Sequence, residues 1–550
     1  MQQYGELVEA ILRKRGINTH EEAFIFLNPD YERDFHNPFL MRDMDKVCTR
    51  LLEAIQKNEK VIIYADYDCD GIPGAVIMKD FFDLIGLKNY EVYIPKRNSE
   101  GYGLNIEAID IFKEKKVNLI ITIDLGITAV EEVSLANKYG IDVIVTDHHI
   151  PQMILPEAYA ILNPKVDEYP EKMLCGAGVV FKLASGFLKK YGEKFGVKSG
   201  AEKWLLDMAG LATLSDMVPL TGENRSLAYF GIMVLRKTRR PGLQKLLKKM
   251  SIDQRHLAED DIGFMVTPRL NAASRMDDPL RAYELLSTTD EVEGGVLADH
   301  LSKINDERKS IVLGIMKHVK KTFETRGIKD VVVIGNPEWR VGVLGLVAGK
   351  ITDEYKMTAF VWGKDENDLI KGSCRSDGRV SVVELMTEAS ESFIGFGGHE
   401  LAGGFTVHTD KIHFLEEELS KSFDKVKRIK EENEVSFDVK TDFSVLTMKN
   451  WKDIEKLAPF GIGNQKPIFL FENTKIEHIK KFGKNGSGEH LEITFSDTSK
   501  YKAKAISFFS GTESFKTPLV EGLSVSLLAT FDLSRFRGRE ELRLRIIDIL

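Results

Sequence analysis

Five short apolar runs between residues 61 and 162 each break off into a side chain able to do chemistry. VIIYA (61–65) ends at Asp66, EVYIP (91–95) at Lys96 and Arg97, and NLIITI (118–123) at Asp124. IDVIVT (141–146) ends at Asp147-His148-His149, and AYAIL (158–162) at Asn163. β-Branched runs of this length, separated by longer amphipathic stretches, predict parallel strands joined by crossover helices. In an open α/β sheet the ligand crevice lies beyond the carboxyl ends of the strands. Five successive strand ends would therefore deliver carboxylates, imidazoles and cations to one edge.

The first run continues as VIIYADYDCDG, with Asp66, Asp68 and Asp70 at alternate positions before Gly71. An EF-hand loop begins the same way, but it follows a helix and needs Glu at its twelfth position, where Ile77 stands. A solvated acidic turn is the plainer reading of this motif taken alone. A lone histidine is more often a packed or surface residue, and Asp216 could equally cap a helix ahead of Pro219. The series as a whole favours a site. Its mixture of carboxylate and imidazole suits divalent cations, manganese ahead of magnesium, and points to metal-dependent phosphoester hydrolysis.

A chain of 550 residues has room for three or four domains. It is 43% hydrophobic and 29% charged, without an apolar run long enough for a membrane span. The start, MQQYGELVEAILRKRG, lacks the apolar stretch of a secretory signal. Cys48, Cys69, Cys175 and Cys374 have no paired spacing, so neither a disulfide framework nor a zinc site is expected, and a cytoplasmic location fits. The net charge of −8 does not itself call for nucleic acid. Two basic stretches do: 236–255 carries eight Lys or Arg and one Asp, and 535–545 carries five Arg and two Glu. Each alone reads as a solvated face; beside a hydrolase site they predict a phosphate-tracking surface.

Downstream, AGLATL (209–214) fits a strand or a helix. Residues 287–327 predict one long helix, with Leu301, Ile304, Ile311, Ile315 and Val319 on its apolar side. A second α/β unit runs from VVVIG (331–335) to about 425, through KGSCRSDGR (371–379) and FGGHELAGGF (396–405), with a charged helix around 412–432. Short alternating runs over 433–550 predict a small β-barrel of OB type. The expected domains are an N-terminal extension (1–49), a catalytic domain (50–286), a linking helix (287–328), a substrate-binding domain (329–430) and a single-strand-binding barrel (431–550).

In this order the motifs resemble the DHH phosphoesterase superfamily, whose triplet stands here as Asp147-His148-His149, and within it the single-strand-specific exonucleases of bacteria. The resemblance runs through YADYDCDG, KRNSEGYGL (96–104), ITIDLGIT (121–128), VTDHHIP (145–151), LSDMVPLTGENR (214–225), PRLNAASRM (268–276), VGVLGLVAGKI (341–351), GFGGHELAGGF (395–405) and APFGIGNQKPIF (458–469). Four positions depart from it: Tyr64 and Arg340 where histidine is found, Pro73 where a small hydroxyl residue is common, and Ser274 where glycine is usual.

The resemblance implies an α/β fold: a parallel-sheet DHH domain, a DHHA1-like lobe beyond the linking helix, and an OB-like barrel. It implies 5′-to-3′ hydrolysis of single-stranded DNA to mononucleotides in repair and recombination, with two Mn²⁺ or Mg²⁺ ions. Asp66 and Asp68, with Asp70 as a third contributor, would hold the first ion, Asp124 would bridge, and His148 and Asp216 would hold the second. His149 would face the scissile phosphate while Asp147 orients an imidazole. Arg97 and Arg275 are the candidates for a terminal 5′ phosphate, and Ser373, Arg375, Gly397, Gly398 and His399 for gripping the strand. Single-strand-binding protein and a helicase are the expected partners. Alternation buries half of the barrel's aromatics, so those that stack on bases stay unassigned. Two rivals are a DHH phosphodiesterase of short oligonucleotides or cyclic dinucleotides, whose relatives generally stop after the second lobe, and a non-catalytic replication scaffold, which would have lost metal ligands.

Overall fold

The apolar runs of the first half form strands buried on both faces, as crossover helices require, except for the half-buried edge strand at 90–93. They are β1 (Val61–Ala65), β2 (Tyr90–Tyr93), β3 (Leu119–Ile123), β4 (Asp142–Thr146) and β5 (Ala160–Leu162), all parallel in the order β2-β1-β3-β4-β5. The computed structural model describes residues 4–97, 99–166, 168–326, 329–428, 436–483, 490–508, 510–515, 517–535 and 540–550. Register decides what meets at the sheet edge. Ala65 pairs with Ile123 and Ile123 with Thr146, so Asp66, Asp124 and Asp147 emerge side by side. The ladder continues one step past the strands: Asp66 N–H donates to Ile123 O at 3.1 Å and Asp124 N–H to Thr146 O at 3.0 Å.

Residues 209–214 are helical, within Leu206–Ser215. Residues 206–214 are all buried, so this helix has no polar face and its periodicity could not announce it. The long helix is Glu291–Arg326, about 54 Å at 1.5 Å per residue. Leu301, Ile304, Ile315 and Val319 are buried along it as the spacing predicted. Val312, Ile315, Met316, Val319 and Phe323 share a core with helix Val341–Tyr355 and with the second sheet. That sheet is mixed: β6 (Val331–Gly335), β7 (Thr358–Lys364), β8 (Ile370–Arg375), β9 (Phe393–His399) and β10 (Ala402–Val407), ordered β6-β7-β8-β10-β9. Helix Leu415–Phe423 is the charged helix expected near its end.

The chain divides into two units: residues 35–218 with 222–432, and residues 1–34, 219–221 and 433–550. The second unit holds β11 (Val439–Lys440), β12 (Phe469–Phe482), β13 (His490–Ser496), β14 (Lys502–Phe508), β15 (Ser524–Ser534) and β16 (Glu541–Ile549). Pairings run β12-β13-β14-β16-β15 and return to β12, with β14 parallel to β16, an OB-like arrangement. Reading 1–49 as an extension gave its helices no partner. Here Val8, Ile11 and Leu12 of helix Glu6–Lys14 are buried in one core with Phe469, Phe471, Phe495 and Leu544. The middle of the basic run at 535–545 lies outside the described residues.

Candidate active site

At the edge of the first sheet the acids converge. Ligand-capable atoms of Asp66, Asp68 and Asp124 lie within 4.8 Å of one another, as do those of Asp70, His148 and Asp216, and of Asp124, His148 and His149. His148 Nε2 stands 3.1 Å from Asp124 Oδ1, 3.7 Å from Asp70 Oδ2 and 3.8 Å from Asp216 Oδ2. Asp70 thus lies within reach of His148 and Asp216, and Asp66 and Asp68 within reach of Asp124. The reason is a helix terminus. The Asp70 carboxylate accepts N–H bonds from Gly176 (2.6 Å) and Ala177 (2.7 Å) at the start of helix Gly176–Tyr191, which turns it away from its neighbours in the motif. A Cβ at Gly176 would fall 2.7 Å from Asp124 Oδ1, so only glycine lets this terminus under the cluster. Asp124 itself sits at φ 62°, a strained backbone of the kind that collects at functional sites.

Asp147 is buried and acts as a bracket. Its Oδ1 accepts the backbone N–H groups of His148 (2.7 Å) and His149 (3.1 Å) and lies 2.7 Å from His149 Nδ1, while Oδ2 accepts from Ile127 N–H at 2.9 Å. It orients His149; the His148 ring is hydrogen-bonded by the Leu174 backbone. Burial opposes a charge on His149, but the Asp147 hydrogen bond together with the charges of Asp147 and Asp70 outweighs it, and the imidazole is held above its ordinary range. Burial and then His149 push His148 down to about 3, leaving a neutral ring suited to a metal.

The carboxylates cannot all be ionised alone. Burial, then Asp68, holds Asp66 well above the carboxylate range, and burial with Asp70, Asp68 and Asp66 does the same to Asp124. Burial and Asp68 raise Asp70 to about 6, and burial and Asp70 raise Asp216 to about 9. Asp66 Oδ1 and Asp124 Oδ1 are buried without a hydrogen bond. Buried acceptors left unpaired are costly, and divalent cations would satisfy them while cancelling the repulsion. The donor set fits two such ions.

A second cluster has the opposite sign. Arg275, in helix Thr267–Met276, donates to Gly342 O at 3.0 Å in the first turn of helix Val341–Tyr355. Burial pushes its guanidinium down to about 9, and Arg97, Arg308 and Arg375 push it the same way while Asp68 opposes them. Arg375 donates to Ser373 Oγ at 3.2 Å and to Cys374 O at 2.7 Å. Arg97 lies over the Tyr67 ring at 5.1 Å. Like charges thus gather around Arg275 near the start of helix Val341–Tyr355, with Asp68 as the acid that bears on it.

Family models match three stretches: the DHH family, N-terminal domain, over residues 60–213, the DHHA1 domain over 328–429 and the RecJ OB domain over 437–548. The single-stranded-DNA-specific exonuclease RecJ of Bacillus subtilis (strain 168) is 34% identical over 549 residues, 98% of this chain and 67% of its own. The chain belongs to the RecJ family of DHH exonucleases. A crystal structure of RecJ from Thermus thermophilus with Mn²⁺ superposes with a TM-score of 0.81 at 22% identity, covering all of this chain and 78% of that one. An exonuclease RecJ bound to manganese gives a TM-score of 0.61 at 27% identity, over 70% of this chain and 95% of that one.

In this RecJ-family chain Gly397, Gly398 and His399 lie in edge strand β9, where His399 is exposed and shares its row with Ala402 and Arg375. In the basic stretch 236–255 four of the eight Lys and Arg are ion-paired: Arg240 is held between Asp207 and Asp80, Lys245 pairs with Glu291, Lys249 with Asp299 and Arg255 with Asp253. Sequence reading also missed groups that bear on the site. Arg308 lies on the long helix, outside any motif, and its Nε is buried without a partner. Lys165 donates to His148 O, and the Tyr102 hydroxyl donates to Asp124 O at 3.3 Å. In the RecJ OB domain, Phe482, His490 and Phe508 pair across β12, β13 and β14 with ring centroids 5.2 and 5.4 Å apart, and Arg545 lies over Phe508 at 5.1 Å.

Proposed function

We infer that this chain hydrolyses single-stranded DNA from its 5′ end, releasing mononucleotides, with two divalent cations. The observation that carries this is the junction at Asp68, which belongs to the acid cluster and also bears on Arg275. Asp66, Asp68 and Asp124 would hold one ion, and Asp70, His148 and Asp216 the other, with Asp124 shared. When bound, such ions supply an activated water and offset the charge that develops on the phosphate. Manganese is supported by the donor set and by the manganese-bound exonuclease RecJ; magnesium fits the same carboxylates.

The protein's own groups do the rest. Asp147 aims the His149 imidazole and favours its protonated form, which can donate to a phosphate oxygen. Arg97, Arg275, Arg308 and Arg375, with Ser373, hold the terminal 5′ phosphate in bidentate fashion. Gripping the end sets the first linkage over the acids, and this accounts for both polarity and mononucleotide release. Edge strand β9, with Gly397, Gly398 and His399, offers open backbone and an imidazole to the strand. The Phe482–His490–Phe508 row supplies a sequence-tolerant stacking surface for single strands.

Every acid of the cluster is in place, which disfavours a scaffold, and the OB domain disfavours an enzyme of dinucleotides. Repair and recombination, a cytoplasmic setting, and cooperation with single-strand-binding protein and a helicase follow from the family. The deciding assay digests 5′- and 3′-labelled single-stranded and duplex DNA with Mn²⁺, Mg²⁺ or EDTA. Loss of single strands from the 5′ end, stopped by EDTA, is expected; equal attack from 3′ ends would overturn the polarity.

A further inference from the structure

The connection between β5 and helix Gly176–Tyr191 runs against the Asp147-His148-His149 triplet. Asn163 donates to His149 O at 3.0 Å and Lys165 to His148 O. Its last residues reach further. The Leu174 backbone is hydrogen-bonded to the His148 ring in the sense that favours a protonated nitrogen, so the partner is the Leu174 carbonyl. Nε2 of that ring faces Asp124, Asp70 and Asp216, which leaves Nδ1 as the donor to Leu174. Two and three residues on, the N–H groups of Gly176 and Ala177 hold the Asp70 carboxylate. Residues 174–177 therefore orient two of the three members of the Asp70–His148–Asp216 group.

That segment is held by two neighbouring side chains of helix Gly222–Leu235, in the same unit. Asn224 is fully buried and donates Nδ2 to Met173 O at 2.6 Å, one residue ahead of Leu174. Its Oδ1 is buried without a partner, so its contribution lies on the donor side. Glu223, also buried, accepts the Tyr169 hydroxyl on Oε2 at 2.7 Å. Its Oε1 accepts from Lys182 and, at 3.2 Å, from the His36 N–H. Lys182 is buried too, and it lies on the helix whose first turn holds Asp70. A buried ion pair adds little net stability, but with its hydrogen bonds filled it fixes where its elements sit. The connection is thus clamped twice, at Tyr169 and at Met173.

We propose that Asn224, backed by Glu223, is a positioning residue for the Asp70–His148–Asp216 group. By holding Met173 it sets the Leu174 carbonyl, which keeps the His148 proton on Nδ1 and the Nε2 lone pair toward the acids. The same hold seats the start of helix Gly176–Tyr191 under Asp70. The inference rests on reading those three residues as a cation site.

The test uses the full-length, EDTA-stripped chain with ¹⁵N-labelled histidine rings at pH 8. Long-range ¹H–¹⁵N spectra report the tautomer of each neutral ring, and His148→Gln identifies the His148 signals. The parent should show the Nδ1–H tautomer. Asn224→Asp, which keeps the outline and loses the donor, and Asn224→Ala should show a mixture of both tautomers. The same proteins are then titrated with MnCl₂, with free Mn²⁺ followed by electron paramagnetic resonance, without DNA or turnover. The parent should show two classes of site. Each Asn224 variant should weaken one class by about ten- to a hundredfold, as loss of supporting contacts around a metal site does, and spare the other. Phe360→Leu, in a core of the same unit, should lower the thermal midpoint and leave the tautomer and both classes alone. A parent-like tautomer or parent-like binding in both Asn224 variants overturns the proposal. So does equal weakening by Phe360→Leu, which would make the effect one of general stability. A parent that binds no Mn²⁺ sinks the cation reading, while the tautomer comparison still decides whether Asn224 governs His148.

Discussion

The acid cluster around Asp124 and the guanidinium cluster around Arg275 are built by the same means with opposite sign. Each gathers like charges where water is scarce. Each shows the cost in its titration, with Asp216 raised to about 9 and Arg275 lowered to about 9. Neither arrangement is favourable by itself, and under the proposed function each would become favourable around a counter-charge: divalent cations on one side, a terminal phosphate on the other. They differ in where their members come from. The acids descend mostly from neighbouring strand ends of one sheet, whereas the arginines come from a strand-end loop, two helices and the second sheet. A pocket assembled from remote segments can change its specificity without disturbing the chemistry beside it.

The comparison breaks first if the clusters are not separable. Asp124→Ala should cut hydrolysis by several kcal/mol of barrier, roughly 10³-fold, because one carboxylate serves both cation clusters. Binding of a 5′-phosphorylated strand in EDTA should persist. Near-parental turnover with Mn²⁺ would dismantle the acid side of the comparison.

Arg275→Lys is the counterpart. It keeps the charge and removes the planar fork, so the rate advantage of a 5′-phosphorylated over a 5′-hydroxyl strand should shrink by about 10–30-fold. Mn²⁺ affinity should not move. An unchanged ratio would take Arg275 out of the pocket.

Phe508→Ala lies outside both clusters and sharpens the contrast as a control. It should weaken capture of long single strands by about 5–10-fold through lost stacking, with very short oligonucleotides cleaved as before. Equal loss on short and long strands, measured side by side, would deny the OB surface a stacking role.

The smallest effect concerns stability without metal. The Asp216 carboxyl is raised above its unfolded value, so the stability it contributes is complete in acid and is lost as pH climbs toward 9. In EDTA, Asp216→Asn should therefore be more stable than the parent at pH 8, by on the order of 1 kcal/mol, and not at pH 4. Excess Mn²⁺ should reverse that order at pH 8. Thermal unfolding across this range decides it; a parent more stable than Asp216→Asn in EDTA at pH 8 would mean that the acids are not in conflict.

Much of the first sheet could be read directly, because each strand is a β-branched run cut off by a polar residue, and burial on both faces leaves few other folds for such runs. Helix Leu206–Ser215 could not, since burial on all sides erases the period that announces a helix. The grouping of Asp70 was hidden for another reason. The resemblance set it beside Asp66 and Asp68, and only the structure shows that two N–H groups at the start of helix Gly176–Tyr191 hold its carboxylate. Composition counts the charges of 236–255 without their partners, and Asp80, Asp207, Glu291 and Asp299 come from elsewhere in the chain.

The sequence alone determined which side chains could do chemistry and that strand ends would present the acids together, because strand direction and alternation are local properties. Tertiary structure alone decided which acids lie within reach of one another, that Arg308 bears on Arg275, that Asp147 brackets His149, and that Leu220 is held by a turn near the far end of the chain. Those outcomes depend on register, helix placement and long-range packing, which bring together residues that carry no mark of one another in the sequence.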